Sequence, residues 1–134
     1  MVDADRYQAH GGKTVYGARV GILMLETRFP RIPGDIGRAA TWPFPVLYKV
    51  VRGATGERVT TARANDSSTE LLDASLAAGA ELMQDGADGI TTSCGFLSIY
   101  QRELAAHRRV PVAASVLMQI PLVERLLPPR KGSA

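Results

Sequence analysis

Apolar runs and helix-like periods alternate along this chain, and that alternation limits its fold more than any other feature of the sequence. ARVGILMLET, 18–27, has the unbroken Val, Ile, Leu and Met content of a strand covered on both faces. VLYKVVRG, 46–53, is a second strand, rich in β-branched and aromatic residues. GADGITTSC, 86–94, and VPVAAS, 110–115, read as two more. Between the second and third strands, Ser67 and Glu70 form a capping box ahead of a helix over 69–85, on which Leu72, Leu76, Ala80 and Met83 recur on one face. Gly86 follows, suited to the left-handed turn that ends a helix. The spacing of Phe96, Tyr100 and Leu104 predicts a second helix over 95–107, and a third starts near Pro121. The order β, loop, β, α, β, α, β, α predicts an α/β fold, a parallel sheet of about four strands flanked by helices. Such sheets bind ligands at the carboxyl ends of their strands.

With 134 residues, 46% of them apolar, the chain suffices for one core. Residues 1–17 are polar and aperiodic and read as a flexible N-terminal arm; 18–128 make the α/β domain; 129–134 are a polar tail at an expected truncation point. Sixteen basic against thirteen acidic residues give a formal charge of +3 with no basic stripe, which argues against a nucleic-acid partner. No apolar run approaches the roughly 18 residues of a membrane span, and the charged first residues are unlike a secretory leader. No membrane partner and a cytoplasmic location are expected.

RFPRIPGDIGRAATWPFP, 28–45, carries four prolines and two glycines, which forbid a long helix. An irregular loop longer than about 12 residues inside a compact domain is usually functional. Trp42 and Phe44 either close a pocket lip or pin the loop to the core. GATGERVTTARAND, 53–66, reads as a linker.

Cys94 is the only cysteine, so it forms no internal disulfide; it is apolar filler, a reactive thiol or an intermolecular partner. It ends the third strand and opens the following helix, where the backbone N–H groups of Gly95, Phe96 and Leu97 are free to hold a thiolate or a docked carboxylate. Thr92 and Ser93 can donate to such a ligand or simply bond a neighbouring turn. A cysteine hydrolase needs a histidine beside the thiol, yet His107 is thirteen residues on, roughly 20 Å along a helix. One cysteine and two scattered histidines are too few for a zinc site, so no metal is expected. GGKT at 11–14 lacks the first glycine of a phosphate-binding loop, and GDIG and GATG lack dinucleotide spacing.

GADGITTSCGF, together with VGILMLETRFPRIPGDIG and VPVAASVLMQIP, resembles the first lobe of the aspartate/glutamate racemase superfamily, hydantoin racemases included. The resemblance implies a cofactor-independent isomerase in which Cys94 is one of two acid/base thiols working on the α-proton of a small carboxylate, such as an amino acid, or of a hydantoin. It implies substrate contacts from Ser93, Gly95 and Phe96, from Thr27 and Arg28 after the first strand, and from Ser115 at the tip of the fourth. The second lobe and its cysteine have no counterpart in this sequence, so a missing second lobe or a homodimer partner is expected. The other reading is a catalytically incomplete half-domain that binds small anions or dimerises.

Overall fold

The computed structural model describes residues 14, 17–61, 68–107 and 109–128. Nearly all of the expected arm, the tail over 129–134 and Ser67 of the expected capping box lie outside the described residues. β1 (Val20–Met24), β2 (Val46–Val50), β3 (Gly89–Thr92) and β4 (Val112–Ala113) form a parallel sheet in the spatial order β2-β1-β3-β4. The helices are α1 (Gly56–Thr61), α2 (Ser68–Gln84), α3 (Gln101–Ala106) and α4 (Ile120–Leu126). The expected α/β architecture is therefore present. Among the described residues, no helix is long and apolar enough to cross a membrane.

Side-chain alternation along the strands explains how the two faces are covered. On one face, Leu23, Ile90, Leu82 and Leu104 join a buried apolar core. Here β1 approaches α2 closely: a side chain at Gly21 would meet Leu82 and Ala87 at 3.0 and 3.1 Å. Lys49 ties β2 to α2 through Glu81 (2.9 Å) and Asp85 (3.4 Å), and the hydrogen bond it donates to Glu81 chiefly raises the lysine's pKa. On the other face, the loop between β1 and β2 does the covering. The Tyr48 hydroxyl donates to the Ile36 carbonyl at 3.0 Å, and Gly37 lies against the Met24 side chain.

That loop is irregular, as expected, and it is organised by Asp35. Its carboxylate accepts from the Gly37 N–H at 2.7 Å and pairs with Arg31 at 2.9 Å, and the Gly37 bond chiefly lowers its pKa. Trp42 packs against Phe44 with the rings tilted by 42° and their centroids 5.5 Å apart, and its indole N–H reaches the Ile36 carbonyl and the Tyr48 hydroxyl. The aromatics thus pin the loop to the sheet.

Four local expectations change. The buried stripe of α2 runs through Leu71, Ser75, Ala78 and Leu82, with Leu72, Leu76 and Met83 at its shoulder. Ser75 is tolerated inside because its hydroxyl bonds the Leu71 carbonyl at 2.8 Å. The stretch read as a linker contains α1, capped by the Thr55 hydroxyl, which accepts from the Arg58 N–H at 3.3 Å. The helix after Cys94 opens as a 3-10 turn, Gly95–Tyr100, before α3; Gly, Phe, Ser and Ile are weaker α-formers. β4 has two residues, since the Gln101 amide takes over its ladder by accepting from the Ala114 N–H and donating to the Val112 carbonyl. Gly86 ends α2 with φ of +91°, as expected.

Candidate functional site

Chain direction across the sheet reverses between β1 and β3, because β2 lies on one side of β1 while the next strand returns to the other. Open α/β sheets hold ligands in the crevice beyond the carboxyl ends at such a reversal. Ser93 closes that point. Its N–H donates to the Leu23 carbonyl at 2.8 Å, and its Oγ accepts the Leu25 N–H at 3.1 Å, leaving the hydroxyl proton to donate elsewhere.

Thr92 fixes the next residue from beneath. Its buried Oγ1 lies 2.7 Å from the Ala114 carbonyl and 2.9 Å from that of Cys94, and accepts the Cys94 N–H at 3.3 Å. Cys94 is in turn half-buried, partly against the core and partly on an open cleft of about 570 Å³. Ser93, Cys94, Gly95, Phe96, Ser98 and Thr60 line this cleft, with Val59, Ile99 and Leu117 as its apolar wall. None of these lining side chains is charged.

Leu97 donates to the Cys94 carbonyl at 3.1 Å, closing the first 3-10 turn. The N–H groups of Gly95 and Phe96 make no hydrogen bond among the described residues. Two of the three donors expected to be free are therefore available. With the hydroxyls of Ser93 and Ser98 they suit a carboxylate beside the thiol, while the Thr60 hydroxyl is spent on the Glu57 carbonyl at 2.9 Å.

The structure brings Ser93, Cys94, Gly95 and Phe96 together and leaves Thr27, Arg28 and Ser115 outside the cleft lining. Thr27 Oγ1 accepts from the Arg31 guanidinium at 2.9 Å. Arg28 is exposed, and no ion pair engages it among the described residues. Ser115 Oγ accepts the Leu117 N–H at 3.1 Å, capping the 3-10 turn Val116–Gln119 behind Gly95. Val59, Thr60, Ser98, Ile99 and Leu117 were not anticipated. The Thr55 cap ahead of GERVTT was the one sequence signal that could have placed Val59 and Thr60 on a helix. Among the described residues no group of three or more His, Cys, Asp and Glu could hold a metal ion.

Fold and cleft together define an α/β protein with a thiol at the sheet's reversal point. Among curated relatives, a dimethylsulfoniopropionate lyase of Durusdinium sp. clade D is 27% identical over 111 residues, 78% of this chain and 34% of the relative. Dimethylsulfoniopropionate lyases 6 and 3 of Emiliania huxleyi (strain CCMP1516) are each 29% identical over 104 residues, 78% of this chain and 26% of theirs. The chain thus spans about a third or less of the length of these relatives. No family model matches the sequence, and no solved structure does.

These findings overturn the racemase resemblance and the isomerase function drawn from it. The relatives are named as lyases, and nothing among the matches points to the racemase superfamily. The other reading, an anion-binding or dimerising half-domain, gains no support from them either. The motif that misled, a strand ending in a hydroxyl residue and cysteine, describes where a thiol stands on an α/β sheet and leaves the reaction open.

Proposed function

We propose that this chain carries part of the active site of a lyase that cleaves dimethylsulfoniopropionate, with Cys94 as the base. The observation that carries the reading is the similarity over 78% of the chain to relatives named for that activity. The cleft supports it chemically. In a 3-sulfoniopropionate the carboxylate and the sulfonium sit on adjacent carbons. Removing the proton next to the carboxylate lets the electron pair form the Cα–Cβ double bond as the Cβ–S bond breaks. Dimethyl sulfide and acrylate leave, and the proton stays on the base.

Such a proton is weakly acidic, so the site must stabilise charge that builds on the carboxylate as the proton departs. The unengaged N–H groups of Gly95 and Phe96 and the hydroxyl of Ser93 are donors beside Cys94 that suit this task. Thr27, Arg28 and Ser115 take no part in this reading. The test is headspace detection of dimethyl sulfide from the full-length protein given dimethylsulfoniopropionate. Cys94→Ser is expected to lower the rate at least about 100-fold, the scale of losing a general base. A variant that retains the wild-type rate overturns the role of Cys94; a wild type that releases no dimethyl sulfide overturns the reaction.

A further inference from the structure

We infer that the Phe96 ring is the subsite for the substrate's sulfonium, which makes this side chain a specificity-determining residue; the inference rests on the elimination reading above. Among side chains, a carboxylate or an aromatic face is the strongest replacement for the water around an organic cation such as a sulfonium. The cleft lining offers no carboxylate, and Phe96 is its one aromatic side chain. The ring is 56% exposed, so its face is not consumed by packing in the core. Its apolar company, Ile99 and Leu117, suits the two methyl groups on sulfur.

The placement also matches the order of groups along the molecule. With the α-carbon at the Cys94 thiol, the carboxylate lies one bond from the reacting carbon and the sulfur two bonds along on the other side. Gly95 and Phe96 can serve both ends because the two residues offer different groups: backbone N–H to the anion, ring to the cation. As the C–S bond breaks, the charge on sulfur disappears, so attraction to the ring weakens toward the transition state. Phe96 therefore selects and holds substrate and does little to speed the bond breaking.

The experiment compares dimethylsulfoniopropionate with 4-methylpentanoate, the neutral-tailed isostere in which CH replaces the sulfonium sulfur, using the full-length protein. Phe96→Leu is expected to raise KM for the sulfonium roughly fivefold, the upper end for an exposed cation–aromatic contact. The inhibition constant of 4-methylpentanoate should stay within about twofold, because leucine still offers it an apolar wall. Phe96→Tyr should restore the wild-type KM. Equal weakening of both ligands in Phe96→Leu, or weakening of neither, overturns the inference while leaving the lyase reading intact. A wild type inactive on dimethylsulfoniopropionate overturns both, and that failure appears before any variant is made.

Discussion

Thr92 gives the residue scale its sharpest test. Among the described residues, its hydroxyl is the side-chain group that joins the end of β3, the Cys94 backbone and the start of the segment after β4. Valine has nearly the same shape and would fill the same volume, yet it would leave the Ala114 carbonyl and the Cys94 N–H without this partner. Stranding buried polar groups costs about 1–3 kcal/mol, and Thr92 is 6% exposed, so the full range applies. Thr92→Val is therefore expected to lower the unfolding free energy read from urea denaturation by that amount, with Thr92→Ser close to wild type. Equal stability of threonine and valine at this position would refute the pinning. Thr92 was visible in the sequence only as an ambiguous hydroxyl beside Cys94. A sequence shows that a hydroxyl is there, and not which carbonyl of a strand some twenty residues away it faces.

At the scale of elements, the loop between β1 and β2 supplies the pH dependence. Asp35 has its pKa lowered, chiefly by the Gly37 N–H and also by Arg31, from an ordinary value of 3.8. A lowered folded pKa means that the carboxylate's contribution is fully present above the ordinary value and is lost as pH falls through the lower folded one. The loop should thus keep its form at pH 5 to 7, begin to lose this support as pH drops under the ordinary value of 3.8, and loosen fully only once pH has fallen through the lowered folded one. Trp42, the single tryptophan, reports this directly through its bond to Ile36. Its emission should shift to the red on acidification below that point, and Asp35→Asn should show part of the shift at neutral pH. An emission maximum unchanged in both would exclude the Asp35-centred organisation. Sequence and structure part company at this scale in an instructive way. β1, β2, β3, α2 and the proline-rich loop were readable because long apolar runs, a helical period and proline act locally. β4 was readable as a strand but not in its two-residue length, and α1 and the 3-10 opening at Gly95 were not readable, because tertiary or local partners set them: Gln101 for the length of β4, the Thr55 cap for α1, and the Cys94 carbonyl for the turn. The cleft shares this limit. Its Cys94 side lies in one continuous stretch, whereas Val59, Thr60 and Leu117 come from segments that only the fold brings near.

For the molecule as a whole, the telling feature is α4. Amphipathic helices stay folded by burying their apolar side, yet α4 has no buried residue. Leu122 is 61% exposed and Leu126 75%, and the turn before the helix leaves Val116 76% and Leu117 51% exposed. So continuous an apolar surface seeks cover, and for the isolated chain the available occupant is a second copy. Self-association of the 134-residue chain is expected in sedimentation velocity at tens of micromolar. Leu122→Glu with Leu126→Glu should return it to a monomer that still unfolds cooperatively, since neither side chain is buried within the single chain. A wild type that sediments as a monomer throughout that range would refute the idea. The surface also reaches the chemistry, because Leu117 belongs both to it and to the wall of the Cys94 cleft. Covering one therefore shields the other and removes water from around the thiol, which strengthens every electrostatic contact there. Alkylation of Cys94 should then slow as protein concentration rises, and the doubly substituted chain should lose that dependence. A rate independent of concentration in an associated wild type would mean that α4 is covered without closing the cleft.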